Sequence, residues 1–372
     1  MKYLIFPKYG DDLQRRARAR NSWTIQHAIT ALELGHSVFI ANATEETQEL
    51  HSEIFSQHGE RFSGKIINVT PPDFVASDPA FKNSRWISHI FSMIKQFDID
   101  LVHTRDPVVA NCAARSNLKF FYEYHDEDYQ KPISMMSQFS SSEHCIGISV
   151  ISDYFLREAK GCRPSAFVLP SGYNNANKAN HALSEKTRSY LLERSKGRNL
   201  IGYTGGLQEE RDMDVLAQVI CNSPECFFVI GGGHKNDISK FREKLTKSDN
   251  VEVLGHLDKE EVYSYAHAMD VNLYLRRSDS LLNTSPIKFS DYHTSPAPIV
   301  AAMLPMFKDF SLKIDKKCGI IFYEPSNYAS LKSAMNSAVS LGRSSYDRSR
   351  FMKEFFCEYK ERLNYISSLL QE

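Results

Sequence analysis

Residues 199–220 read NLIGYTGGLQEERDMDVLAQVI. The apolar NLIGY is short enough for a buried strand, and RDMDVLAQVI carries helical periodicity. Paired glycines, Gly205 and Gly206, stand between them. A strand that runs through a glycine turn into a helix is the opening of a β-α-β unit. The fold depends on whether this pattern repeats, and it does. CFFVIGGG (226–233) is a second strand running into glycines. VEVLG (251–255) and DVNLYL (270–275) are further strands, with KEEVYSYAHAM (259–269) as the helix between them. PIVAA (298–302) and GIIFY (319–323) complete the set, and the tail from Asn327 reads as mostly helical.

The same rhythm fills the first half. YLIF (3–6), HSVFIA (36–41), KIINV (65–69), DLVH (100–103), KFFYEY (119–124), CIGISV (145–150) and SAFVLP (165–170) read as strands. Helices are expected over 21–35, 85–97, from Pro107 onward and over 152–161. Gly35 stands where a C-terminal glycine belongs, and Asn21 or Ser22 could cap the start. Strands alternating with helices imply parallel sheets. The expected fold is α/β, with two Rossmann-like doubly wound domains facing a central cleft. The boundaries are expected at 1–173 for the first domain, 174–198 for a polar linker, 199–345 for the second domain and 346–372 for a helical tail packing back on the first.

The bulk composition excludes several classes. The chain has 372 residues, 42% hydrophobic and 24% charged, as in a water-soluble globular protein. Lys plus Arg equals Asp plus Glu at 45 each, so no global charge draws it to nucleic acid. Seven cysteines without a C-x-x-C pair read as reduced thiols, and the spacing of a zinc site is absent. The opening MKYLIFPKYGDD is too short and too broken by Pro7, Lys8 and Asp11 for a secretion signal. No apolar run reaches the roughly 18 residues of a membrane span. A cytoplasmic chain is expected, with peripheral contact at the inner face of the membrane left open.

In doubly wound sheets, ligands bind beyond the carboxyl ends of the strands. After IGY, Gly205 and Gly206 allow backbone amides to approach a phosphate, and Arg211 offers a planar fork for a diphosphate. A tight turn with a solvated arginine is the plainer reading. After CFFVI, Gly231, Gly232 and Gly233 do not form G-x-G-x-x-G at the start of the chain, and no Walker A motif occurs. NAD and P-loop nucleotide sites therefore lose ground. Residues 283–301 read NTSPIKFSDYHTSPAPIVA. Ser285 or Thr284 is placed to cap a helix with Pro286 at its first position. Lys288 stands in the first turn, where the helix dipole disfavours a cation unless an anion is bound. Asp291 shares its face at i, i+3, and a plain salt bridge is the simple alternative.

The order IGYTGGL, RDMDVL, FFVIGGG, NVEVLGHLDKEEVYSYAHAMDVNLYL and SPIKFSDYHTSPAPIVA resembles the donor-binding domain of GT-B glycosyltransferases, specifically glycosyltransferase family 4. The resemblance covers roughly residues 199–302. Asp291 falls at the family's glutamate, and Pro298-Ile299-Val300 matches its Pro-Val-Val. Ser285, Pro286, Lys288 and Asp291-Tyr292 match the Ser-Pro-x-Lys and Glu-Tyr of a subset. The resemblance implies that Gly205, Gly206 and Arg211 bind a donor diphosphate. Lys288 and the amides around Pro286 to Phe289, that of Ile287 among them, would meet it from the other side. Asp291 would hold the ribose, and VLGHL, with His256, would lie beside the base. SVISDYFLREAKG and FVLPSGYN resemble the family's last first-domain helix and the turn before the linker. A histidine at a strand end there would line the reaction centre, with His125 the first choice and His103 the second. Apart from the resemblance, the run Arg15, Arg16, Arg18, Arg20 after the first strand reads as a solvated basic loop, as a nonspecific nuclear-localisation run, or as acceptor recognition of a phosphate, carboxylate or lipid pyrophosphate by Arg18 and Arg20 with His103 and Arg105.

This sequence departs from the family pattern at three points. Asn283 stands where the family keeps a second acid, and Pro296 where it keeps a glycine. Of the Arg-x-x-Lys-Gly pattern only Arg211 is present, so one of the two phosphate cations is missing unless Arg276, Arg277 or Lys288 replaces it. The implied activity is a retaining, metal-independent hexosyltransferase in surface polysaccharide or glycoconjugate synthesis. It would need no cofactor and would use a UDP- or GDP-sugar as donor, with a glycan or lipid-linked acceptor. The alternatives are a sugar-nucleotide epimerase or hydrolase on the same scaffold, or a nonenzymatic subunit that binds nucleotide sugar or glycan.

Overall fold

The structure is a computed structural model. It describes residues 1–6, 19–42, 65–68, 91, 95–124, 136–158, 166–173, 180–208, 211–245, 248–278 and 286–371. Two compact units divide the chain, one of residues 1–174 with 357–372 and one of residues 175–356.

The first unit is built on strands β1 (Lys2–Phe6), β2 (Ser37–Asn42), β3 (Lys65–Asn68), β4 (Leu101–Thr104), β5 (Phe120–Tyr124), β6 (Cys145–Val150) and β7 (Ala166–Val168). They form one sheet in the order β3-β2-β1-β4-β5-β6-β7. The pairing is parallel, with Leu4 opposite both Phe39 and Val102. β4 and β5 are buried throughout, including the polar His103, Thr104 and Glu123 that interrupt their apolar runs. Helices α1 (Ala19–Glu33), α2 (Pro107–Arg115) and α3 (Asp153–Glu158) follow β1, β4 and β6. Asp106 caps α2, accepting from the Val108 amide at 2.8 Å, and Pro107 opens the helix. The expected helix over 85–97 lies almost wholly outside the described residues.

The second unit repeats the plan. Its strands are β9 (Asn199–Thr204), β10 (Cys226–Gly231), β11 (Val251–Gly255), β12 (Val271–Tyr274), β13 (Ile299–Ala302) and β14 (Ile320–Tyr323), preceded in the chain by the short β8 (Ser171–Tyr173). They pair in parallel in the order β11-β10-β9-β12-β13-β14. The helices are α4 (His181–Ser195), α5 (Met213–Cys221), α6 (Lys235–Lys244), α7 (Lys259–Ala268), α8 (Lys288–Tyr292), α9 (Lys308–Ser311), α10 (Tyr328–Leu341) and α11 (Ser349–Phe355). The chain ends in α12 (Tyr359–Ser368).

Three features differ from the sequence reading. Residues 181–195, within the expected linker, form the 15-residue α4 and belong to the second unit. Arg188 holds α4 to Asp270 at 2.8 Å, while the other Asp270 oxygen accepts from the Leu200 amide at 2.8 Å. The tail divides: residues 346–356 stay with the second unit, and residues 357–372 join the first. There Leu363 and Ile366 of α12 enter a core with Trp23, Ala28 and Ala31 of α1. Helix α6 has only two apolar residues, Ile238 and buried Phe241, too few for its periodicity to stand out.

Candidate functional site

In each sheet the strand order reverses beside the first strand, between β1 and β4 and between β9 and β12. Such a switch point opens a crevice at the carboxyl ends of the strands, where doubly wound folds bind ligands. In the second unit that place is framed by Thr204-Gly205-Gly206 after β9 and Leu275-Arg276-Arg277 after β12.

The glycines there serve close backbone packing. The Gly205 amide donates to the Gly231 carbonyl at 2.8 Å, and the Gly232 amide donates to Gly255. Gly232 has φ +108°, and a Cβ there would lie 2.2 Å from the Gly205 carbonyl oxygen. The triple glycine thus lets two turns touch, the tight-turn reading of that run. Gly206 meets only the flexible end of Gln208, and its carbonyl accepts from the Tyr203 hydroxyl at 2.6 Å.

The wall from Pro286 to Tyr292 joins this turn through Tyr292. Its buried hydroxyl accepts from the Thr204 amide at 3.1 Å and meets Thr204 Oγ1 at 2.9 Å. Helix α8 starts at Lys288, with Ile287 in the cap position and no side-chain cap. Pro286 therefore precedes the helix rather than opening it. The amides of Phe289 and Ser290 bond to the carbonyls of Pro286 and Ile287 at 2.9 and 3.0 Å. This corrects the expectation that the Phe289 amide is free for an anion.

Lys288 and Asp291 do form the i, i+3 ion pair, at 3.0 Å. A second cation joins them that the sequence reading missed: Lys259, at the first position of α7, reaches the other oxygen of Asp291 at 2.5 Å. Its signal was a lysine in a first helical turn, where acids are preferred. The Asp291 side chain is 4% exposed, whereas those of Lys259 and Lys288 are 47% and 30% exposed. Burial pushes the Asp291 carboxyl up, but the two ammonium groups outweigh it and hold the carboxyl at about 2. Each Asp291 oxygen still has a lone pair for a further donor.

Arg211 is half-buried at the start of the turn into α5, and its Nε has no hydrogen-bond partner. His256 stands exposed just after β11. Asn283, Ser285, His125 and Arg18 lie outside the described residues. Arg20 falls in α1, but its side chain is likewise outside them.

His103 is fully buried in the first unit. Its Nδ1 bonds the Tyr3 hydroxyl, and its Nε2 lies 2.8 Å from Glu123 Oε1. Trp23 Nε1 donates to Glu123 Oε2 at 2.9 Å, and Arg362 Nε donates to Oε1 at 3.2 Å. His103 is thus a histidine satisfied inside a sheet. His27, His103 and Glu123 bring their ligand atoms within 4.8 Å of one another. Arg362 already supplies a cation at that carboxylate. Arg105 stacks over the Trp23 ring at 5.5 Å.

No protein-family model matches the sequence, and no curated protein does. Solved structures do match. A glycosyltransferase from Rickettsia africae is similar at TM-score 0.71 and 16% identity, covering 100% of this chain and 99% of that one. HepE of Anabaena, solved with UDP-glucose, is similar at TM-score 0.73 and 13% identity, again over 100% and 99%. Sucrose-phosphate synthase of Thermosynechococcus elongatus gives TM-score 0.71 at 12% identity, over 100% and 99%. At such identities the likeness shows the fold, and that fold is a pair of Rossmann-like domains of the GT-B type.

Proposed function

We propose that this protein is a glycosyltransferase that takes its sugar from a nucleotide-diphosphate donor bound at the switch point of the second unit. The Thr204–Tyr292 junction carries the reading. It ties the glycine turn after β9 to the Lys288–Asp291 wall, so phosphate-binding and ribose-binding groups meet at one end of one sheet. Gly205, Gly206 and Arg211 would hold the diphosphate, with Lys288 beside it. Asp291, fixed and ionised between two lysines, would accept from the ribose hydroxyls. The fold neighbours that hold UDP and UDP-glucose support a nucleotide sugar as ligand class.

As the glycosidic bond to the nucleotide breaks, negative charge develops on the departing diphosphate. Arg211 and Lys288 stabilise that charge more in the transition state than in the ground state, which is the condition for acceleration. The reading extends to a metal-independent, retaining transfer of a hexose to a glycan or lipid-linked acceptor, from a UDP- or GDP-sugar. It places the protein in surface polysaccharide or glycoconjugate synthesis, working in the cytoplasm or against the inner membrane face.

A thermal-shift panel with UDP-, GDP-, ADP- and CMP-sugars tests this. A ligand at about 100 times its Kd adds about 2.7 kcal/mol, a readable shift. One nucleotide should stand out, and its sugar should then be transferred in an acceptor screen. No shift with any of the four would sink the reading.

A further inference from the structure

Two arginines flank the switch point, each with a buried Nε that has no hydrogen-bond partner. Arg276, two residues past β12, is 8% exposed, and its buried Nε has no hydrogen-bond partner. Among the described residues no carboxylate forms an ion pair with it. Arg211, across the turn after β9, also has a buried Nε without a partner. Tyr274, 2% exposed, carries a third buried polar atom without a partner, its hydroxyl. The Arg276 guanidinium carbon sits 6.0 Å from the Tyr274 ring centre, and the Arg211 charge acts on the same phenol, offsetting part of the burial that raises its pKa.

The two arginines are also linked through the backbone. The Arg276 amide donates to the Tyr323 hydroxyl at 3.3 Å, and that hydroxyl donates to Asp212 Oδ2, also at 3.3 Å. The same Asp212 oxygen accepts from the Ser326 amide at 2.8 Å. Asp212, the acid adjoining Arg211, is therefore engaged in holding the loops and not in neutralising the guanidinium groups. Removing a cation from water without an anion costs several kcal/mol, so the buried Arg276 calls for a negative partner. Two planar forks with unpartnered Nε atoms, both acting on the Tyr274 phenol, suit the oxygens of a diphosphate. Lys288 is shared with Asp291, and Arg277 is already engaged.

We propose that Arg276 is a further diphosphate-binding cation of this protein, acting with Arg211 and Lys288 and with the Tyr274 hydroxyl as an additional donor. The site it completes takes a diphosphate group, free or as part of a nucleotide. The proposal rests on the functional reading above only for the nucleoside attached to that group.

Calorimetric titration of the full chain with inorganic pyrophosphate, UDP, GDP and inorganic phosphate tests it. The wild type should bind pyrophosphate or a nucleoside diphosphate more tightly than inorganic phosphate. Arg276→Ala should weaken that binding about 10- to 100-fold, the range for losing hydrogen bonds to a charged group. Arg276→Lys, which keeps the charge and loses the fork, should weaken it less, and Tyr274→Phe should also weaken it. Circular dichroism and thermal unfolding establish that each variant is folded. If Arg276→Ala does not fold, Arg276→Lys and Tyr274→Phe decide. Wild-type affinity for diphosphates in the folded Arg276 variants overturns the proposal, as does a wild type that binds no diphosphate. Pyrophosphate binding that depends on Arg276, with no response to any nucleotide sugar, supports this site and overturns the glycosyltransferase reading instead.

Discussion

The Tyr292 hydroxyl accepts the Thr204 amide at 3.1 Å, joining two segments 88 residues apart in sequence. Thr204 ends β9 and precedes the glycine turn, while Tyr292 ends α8 beside Asp291. One buried hydroxyl thus sets the spacing between the phosphate side and the ribose side of the candidate site. Tyr292→Phe leaves the Thr204 amide unpaired in a buried place, which costs about 1–3 kcal/mol. The variant should unfold at lower urea concentration, and should lose nucleotide affinity even where it remains folded. Unchanged nucleotide affinity in the folded variant would separate the junction from ligand binding.

Arg211 and Lys288 carry the positive charge assigned to the leaving group. Arg211→Ala and Lys288→Ala should each reduce turnover on the order of 10²-fold, as for loss of one preorganised donor to a developing charge. The secondary structure by circular dichroism should not change. Initial rates over a range of donor concentrations decide whether the loss lies in kcat or KM. Wild-type rates in both variants would remove these residues from the mechanism.

The parallel α/β plan was open to reading because buried strands are continuous apolar runs bounded by glycines and by helices of clear period. β6 and β11 match their expected spans, Cys145–Val150 and Val251–Gly255. Helices α4 and α6 gave little pattern because each buries only a few side chains and offers solvent the rest. Within the candidate site, Gly205, Arg211, Lys288 and Asp291 stand in motifs that can be read locally. Lys259 cannot be read that way, because it reaches Asp291 from 32 residues upstream and only the packing of α7 near α8 brings them together. Glu123 and Arg362 are 239 residues apart and meet only because the chain end returns to the first unit.

The Asp291 carboxyl, held at about 2, gives the second unit a pH signature. An unfolded aspartate titrates near 3.9, so the folded group binds its proton less readily than the unfolded one. Its contribution, on the order of 2 kcal/mol, is complete above about pH 4 and is lost as pH falls toward 2. Asp291→Asn removes this dependence and leaves Lys259 and Lys288 repelling each other. Urea unfolding between pH 2 and 6 should show the wild-type curve steeper than that of the variant below pH 4. Parallel curves would contradict the ion-pair assignment.

The first unit should respond in a different window. Burial lowers the pKa of His27 and His103, against the partial opposing pull of Glu123, so both rings are neutral in the folded state. The unfolded rings titrate near 6.5, so the unfolded chain takes up protons first as pH falls. Stability from these groups is complete above about pH 6.5 and declines below it, well before Asp291 titrates. His27→Phe should flatten this decline, since the ring pairs with no acid closer than Glu123 at 3.7 Å. The Glu123–Arg362 pair sets the size of the effect from the other side. Arg362→Met leaves a buried carboxylate without its cation and should cost about 3–5 kcal/mol. Replacing both members, with Glu123→Gln and Arg362→Met, should restore much of that loss, because the cost comes from the stranded charge. Tryptophan fluorescence follows both experiments, since Trp23 donates to Glu123 at 2.9 Å. A double variant as unstable as the single one would show that the helix α12 contacts, and not the charge, hold the chain end in place.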